Sequence, residues 1–242
     1  MTRIDHALAA RPDGAMPRSV VRQSSPRCEE CLLPLRWCVC SAVRKIECPL
    51  QIDVLIHHRE MWRPSSTGHL VNRVMAGSRQ HLWRRERKLA AEDVRIPGRE
   101  LWILHPKGER MPSAVRPETV HVLLIDGSWR ESSAIAQEIG SWGRLVNLTM
   151  SGDSRYWLRS QADERRFSTA EALLFLLDAF QLSAAHAHLS LQFDLHVYAN
   201  LRARGSKAAA LDFLERSSLQ QAFPELLAQL DVRRPRVGSS SK

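Results

Sequence analysis

Four of the five cysteines lie within thirteen residues, as Cys28-x-x-Cys31 and Cys38-x-Cys40. Two closely spaced thiolate pairs are the ligand set of a tetrahedral zinc ion, because each short pair bends the chain around the metal and supplies two sulfurs. Spacings of one and two residues make poor disulfide loops, and nothing else in the chain suggests secretion. A closed four-thiolate site leaves no position for water and is structural, so the chemistry must lie elsewhere. Asp126 closes the run Val120-His121-Val122-Leu123-Leu124-Ile125. A carboxylate at the end of a buried strand is half desolvated and fixed in direction, which suits a general base or an orienting group. It suits equally well a cap for the helix expected to start near Trp129. Gly127 would let a ligand approach the backbone, and Trp129 either stacks on a base or packs into the core. Ser168-Thr169-Ala170-Glu171 is an S-x-x-E capping box, which opens a helix whose first N–H groups receive a carboxylate or phosphate, or simply caps it. Asp153-Ser154-Arg155-Tyr156-Trp157-Leu158-Arg159 sets two arginines around two aromatics, the make-up of a base-stacking surface or of a loop packed over the core.

The elements that must position these groups alternate. The pattern predicts strands over 50–56, 101–104, 120–125 and 145–148, the second of them stopped by His105-Pro106. It predicts helices over 71–88, 130–139, 169–180, 184–203 and 208–230. The helix over 71–88 carries Arg73, Arg79, Arg84, Arg85, Arg87 and Lys88. Strands alternating with helices make an α/β core with a largely parallel sheet, in which ligands bind in the loops beyond the carboxyl ends of the strands. Three polar loops fall there: 57–69, 126–129 and 149–152. The expected organisation is a flexible arm over 1–25, a zinc-binding module over 26–48, a catalytic domain over 49–231 and a basic flexible tail over 232–242.

The chain has 242 residues, 44% of them hydrophobic, and 35 Lys+Arg against 26 Asp+Glu give a net charge of +9. Such a field favours polyanions, and the bias toward arginine favours nucleic acid. The most apolar stretch, 170–180, is interrupted by Glu171 and Asp178 and is too short to span a membrane. The first 25 residues lack an apolar signal-peptide core. These features, with free thiols, point to a cytoplasmic protein without a membrane or an obligate protein partner. The motifs of dinucleotide, nucleoside-triphosphate and serine-hydrolase sites are absent. His57, His58 and His69 in one loop, and His186, His188 and His196 near the C-terminal helices, lack consistent ligand spacing for a second metal.

Taken in order, these segments resemble the DTW-domain family of tRNA-uridine aminocarboxypropyltransferases. The order is Cys28-x-x-Cys31 with Cys38-x-Cys40; Glu60 and Pro64-Ser65-Ser66-Thr67-Gly68; Asp126-Gly127-Ser128-Trp129; Ser154-Arg155-Tyr156-Trp157-Leu158-Arg159; and Ser168-Thr169-Ala170-Glu171-Ala172. The likeness spans roughly residues 27–200. It departs from the family's D-x-T-W pattern in having serine at the third position, which keeps the hydroxyl, and in the basic character of His57-His58-Arg59-Glu60. The resemblance implies a SPOUT-like knotted fold, with a largely parallel sheet flanked by helices and an N-terminal zinc-binding module. It implies transfer of the 3-amino-3-carboxypropyl group of S-adenosylmethionine to N3 of a tRNA uridine, with structural zinc. It implies Asp126 as the catalytic residue and Gly127, Ser128, Trp129, Ser151, Ser168, Thr169 and Glu171 around the donor. Arg63, Ser66, Thr67, Arg84, Arg85, Arg155 and Arg159 would meet the RNA, and Cys28, Cys31, Cys38 and Cys40 the metal. The rival readings are a SPOUT-type RNA methyltransferase, the same transfer on ribosomal RNA, and a non-enzymatic zinc-ribbon RNA-binding protein.

Overall fold

The computed structural model describes residues 26–86, 89–158 and 167–232. The sequence-based assignments to 1–25, to Arg87, Lys88 and Arg159 and to the tail beyond Val232 lie outside them.

A five-stranded sheet forms the centre. Its strands are β1 (Gln51–His57), β2 (Gln80–Trp83), β3 (Glu100–Arg110), β4 (Val120–Asp126) and β5 (Arg144–Asn147). They are ordered β2-β1-β4-β3-β5, and every pairing is parallel. Helix α1 (Thr67–Val74) follows β1, the short α2 (Ala91–Val94) follows β2, and α3 (Trp129–Ile139) follows β4. Helices α4 (Thr169–Ala179), α5 (Ser183–Ala203), α6 (Lys207–Glu215), α7 (Leu219–Ala222) and α8 (Pro224–Asp231) complete the described chain.

The apolar residues of the central strands explain why both faces are covered. Ile52, Val54 and Ile56 of β1, with Val122 and Leu124 of β4, join Leu70, Val71 and Val74 of α1 and Leu173, Leu176 and Leu177 of α4 in the larger core. Leu55, Ile103 and Leu123 point the other way and pack on Ile135 and Ile139 of α3. Alternation along each strand thus splits one apolar run between two cores, as a doubly covered parallel sheet requires. The cysteine segment is not set apart, since Cys31, Leu33 and Val39 belong to the larger core.

Three expectations need correction. The helix over 71–88 ends at Val74; the chain turns through Gly77, at φ 73°, and Gln80–Trp83 pairs with β1 as an edge strand. Asp53, fully buried on β1, supplies the reason. It accepts from the Arg79 backbone N–H at 3.0 Å and Nε at 2.8 Å, and from His81 Nε2 at 3.1 Å. A buried carboxylate requires such donors, and they are within reach only if 79–83 runs beside β1. The second correction concerns β3, which does not stop at His105-Pro106. It continues to Arg110 with a break in register between Leu104 and Glu109, so the proline, which has no N–H for the ladder, falls where pairing skips. The third concerns the single helix over 208–230, which is three helices, α6, α7 and α8, with Pro224 opening the last.

Candidate active site at the carboxyl ends of the strands

Asp126 ends β4 and is buried, and both of its carboxylate oxygens are engaged. Ser66 Oγ donates to Oδ2 at 2.6 Å, and Thr169 Oγ1 donates to Oδ1 at 2.6 Å. One side chain therefore ties the start of α1 and the start of α4 to the end of the central strand. The local sequence builds each arm. Ser66 is the N-cap of α1, with Oγ accepting from His69 N–H. Ser168 caps α4, with Oγ accepting from Glu171 N–H while its own N–H donates to Glu171 Oε2 at 2.6 Å. Helix α3 is capped by Ser128, whose hydroxyl and N–H both donate to Glu131. The capping role considered for Asp126 thus falls to Ser128, two residues on.

A cleft enclosing about 700 Å³ of empty space, its open mouth included, lies beside this tie. Leu104, His105 and Pro106 of β3 and Val146, Asn147 and Leu148 around the end of β5 form one wall. Gly127, Trp129 and Ser132 form a second, and Phe167, Ser168, Thr169 and Ala172 at the start of α4 a third. Asp126 is not a wall residue; Thr169, which donates to it, is. The cleft thus joins an apolar floor to a few hydroxyl and amide groups, the usual make-up of a small-molecule site at strand ends.

The expected donor-contacting residues divide. Gly127, Trp129, Ser168 and Thr169 line the cleft. Ser128 is spent on its cap, and Ser151 is exposed and outside the lining, although neighbouring Met150 is in it. Glu171 lies outside the lining. Its buried carboxylate accepts from Ser154 Oγ at 2.9 Å, Arg155 N–H at 2.8 Å and Ser168 N–H, so it fastens the segment after β5 onto α4.

The expected RNA-contacting set divides too. Arg63, Arg84 and Arg85 are exposed at the carboxyl end of the sheet. They reach it by different routes, Arg63 in the β1–α1 loop, with Nη1 2.8 Å from Glu60 Oε1, and Arg84 and Arg85 just after β2. Ser66 and Thr67 are both buried; Thr67 Oγ1 accepts from Ala170 N–H at 3.3 Å. Arg155 is paired within the fold. Its guanidinium is bidentate on Asp194, at 3.1 and 2.8 Å, and lies over the Phe213 ring. Trp157 packs edge-on against the same ring, so this stretch is the loop over the core rather than an open stacking surface.

Several residues build the site through contacts that no local sequence signal announces. Tyr156 Oη donates to Ser65 C=O at 2.6 Å. His196 Nε2 lies 3.4 Å from the same carbonyl; burial draws this imidazole down to a pKa of about 4, and it is neutral. Asn200 Nδ2 donates to Pro64 C=O at 3.3 Å. His57, at the end of β1, places Nδ1 3.4 Å from Glu131 Oε1. Burial raises the Glu60 carboxyl above its ordinary range, with Arg63 opposing and nearby Asp126 and Glu131 reinforcing the shift.

On the far side of α1, the ligand atoms of Cys28, Cys31, Cys38 and Cys40 all lie within 4.8 Å of one another. Burial and the neighbouring Cys38 push the Cys31 thiol up to about 11, so four thiolates at this spacing need a cation among them. The donor set fits a metal ion such as zinc. Arg73 of α1 places Nη2 3.1 Å from Cys40 Sγ, which joins the cluster to the helix whose N-cap holds Asp126. Among the described residues no other group of His, Cys, Asp and Glu side chains is close enough to hold a metal, and no helix is long and apolar enough to cross a membrane.

No solved structure matches this chain. The family model for the DTW domain matches residues 25–201, which takes in the cysteine cluster, the Asp126 tie and all three walls of the cleft. The chain belongs to the DTW-domain family.

Proposed function

We propose that the protein is a tRNA-uridine aminocarboxypropyltransferase that uses S-adenosylmethionine as donor. Its family is associated with tRNA-modifying activity, and the observation that carries the reading is the cleft whose wall residue Thr169 donates to buried Asp126. When bound, the donor supplies a sulfonium: N3 of uridine loses its proton and bonds to the aminocarboxypropyl carbon, the carbon–sulfur bond breaks, and methylthioadenosine leaves.

The chain's own residues have three tasks. Leu104, Val146, Leu148 and Met150 give the apolar walls that an adenine requires, and Asn147 adds an amide among them. Ser168 and Thr169 bring the start of α4 against the cleft, beside the amino-acid end of the donor. Asp126 takes the N3 proton through Thr169, whose hydroxyl accepts it while passing its own proton to Oδ1. Most of the rate comes from holding the two reactants in line.

The knotted SPOUT arrangement is part of the same proposal. It is supported by the all-parallel order β2-β1-β4-β3-β5 and by α4 packing against both α1 and β4 after the chain has left the edge strand β5. Zinc at the four cysteines, tRNA as the acceptor and a cytoplasmic setting complete it.

The test is mass spectrometry of nucleosides from tRNA incubated with the protein and S-adenosylmethionine. Aminocarboxypropyluridine that is lost in Asp126→Ala is the expected result. A methylated nucleoside would turn the reading toward a methyltransferase, and product on ribosomal RNA alone would change the substrate. No product on either would favour the RNA-binding protein.

A further inference from the structure

The β1–α1 loop carries Trp62 at 75% exposure, the most exposed large hydrophobic residue among those described. Leaving an indole in water forgoes the stabilisation its burial would bring. In a slack loop such a residue would fold back onto apolar surface, but this loop is fastened along its length. His58 N–H donates to Trp83 C=O at 3.1 Å, and His69 Nε2 donates to Met61 C=O at 2.8 Å, immediately before Trp62. Beyond it, Arg63 N–H donates to Glu60 C=O at 3.0 Å, and Pro64 and Ser65 are held by Asn200 and Tyr156. Ser66 then closes the loop on Asp126. The backbone on both sides of the indole is thus set before any ligand arrives.

Its surroundings are cationic. Arg59 and Arg63 flank it three and one residues away, with side chains 69% and 59% exposed. The link from His58 to Trp83 brings Arg84 and Arg85, both exposed, to the same end of the sheet. The opposing acids are Glu60, paired with Arg63; Glu131, 3.4 Å from Arg59; and Glu86, which is exposed. An exposed, pre-positioned aromatic among arginines is the composition that binds an unpaired nucleotide, with the ring taking the base and the guanidinium groups the phosphates.

We infer that Trp62 is the stacking platform for an unpaired base of the RNA substrate, next to the uridine that enters the cleft. The inference rests on the proposed tRNA function and adds to it the residue that grips the acceptor loop.

The full-length protein is titrated against fluorescently labelled unfractionated tRNA over a series of salt concentrations, as wild type, Trp62→Ala, Trp62→Phe and Arg63→Ala. Trp62→Ala is expected to weaken binding roughly 5- to 100-fold, the range for loss of one base-stacking contact, while Trp62→Phe stays within about 3-fold of wild type. Because no cation is removed, Trp62→Ala should leave the slope of log K against log salt unchanged, whereas Arg63→Ala should flatten it by about one phosphate contact. Wild-type binding with an unaltered Trp62→Ala overturns the inference and leaves the proposed function standing. A Trp62→Phe protein as weak as Trp62→Ala also overturns it, since a ring would then not suffice. If the wild type binds no tRNA but binds phosphatidylserine-containing vesicles through Trp62, both the proposed function and the inference fall.

Discussion

Gly68 and Asp126 touch so closely that no side chain fits between them. A Cβ at Gly68 would lie 2.8 Å from Cβ and Cγ of Asp126 and 2.9 Å from its Oδ2. Only glycine lets the first turn of α1 lie against the carboxylate that Ser66 and Thr169 hold. Gly68→Ala should therefore displace Asp126, costing about 1–3 kcal/mol as overpacking does, and transfer activity should fall with it. Thermal unfolding beside a single-turnover assay measures both. Unchanged stability and activity would show that the tie has room to spare.

Asp126→Asn keeps the shape and removes the charge. Ser66 and Thr169 would each face an amide of fixed polarity, and one hydroxyl would lose its acceptor. With the proton route through Thr169 closed, single-turnover transfer should drop about 10²-fold or more, while donor binding changes little. Thr169→Ser should stay active, and Thr169→Val should behave like Asp126→Asn. A fully active, folded Asp126→Asn would remove the proton-accepting role.

The four-cysteine cluster and the active site share α1, through Arg73 near Cys40 at one end and Ser66 on Asp126 at the other. The purified protein should carry one zinc ion per chain, measurable by elemental mass spectrometry. Its removal by a chelator should lower the melting temperature and weaken donor binding together. Donor affinity that survives complete removal of the metal would uncouple the two.

His196 sets a pH dependence. Buried beside Ser65 C=O, it has a pKa of about 4 in the folded chain against an ordinary 6.5. Between those values the unfolded chain binds a proton that the folded one does not, so stability rises as pH is raised from about 4 to about 6.5 and then levels off. The full span is worth roughly 3 kcal/mol. Denaturant titrations at several pH values should show this slope in the wild type and a shallower one in His196→Gln. Equal slopes would show that another group governs the window.

Asp53 is a second buried anchor, at the opposite end of β1 from the cleft. Arg79, His81 and His121 surround it, with His121 Nε2 at 3.0 Å and Arg79 Nη2 at 2.6 Å. Burial alone would raise this carboxyl, but these donors, with Gln51, hold it far below the usual carboxylate range. Its contribution is therefore fully present above the ordinary carboxylate pKa and declines progressively as pH falls below it, disappearing only in strong acid. Asp53→Asn, which takes the anion from the Arg79 guanidinium and one acceptor oxygen from the buried group around it, should destabilise by about 1–3 kcal/mol and raise hydrogen exchange along β2 first. Protection of β2 that matches wild type would mean that pairing with β1 holds this edge without the carboxylate.

Much of this protein is local and was therefore legible in its sequence. The thiolate pairs Cys28/Cys31 and Cys38/Cys40, the capping box Ser168–Glu171, the buried strand ending at Asp126 and the alternation of strands with helices all depend on residues within a few positions of one another. Polar strand ends in a parallel sheet also placed the cleft on the correct side. Tertiary structure alone decided what depends on partners far along the chain. Residues 79–83 read as helix by periodicity and became a strand because Asp53, 26 residues earlier, captured Arg79. Arg155 read as a phosphate ligand, and its pairing with Asp194, 39 residues later, was not legible. Thr169, which read as a helix start, and Ser66, which read as a loop residue facing the RNA, converged on one carboxylate. Hydrophobic period and capping are written over a few residues, whereas the partner of a buried charge is chosen only when the folded chain brings every donor within reach.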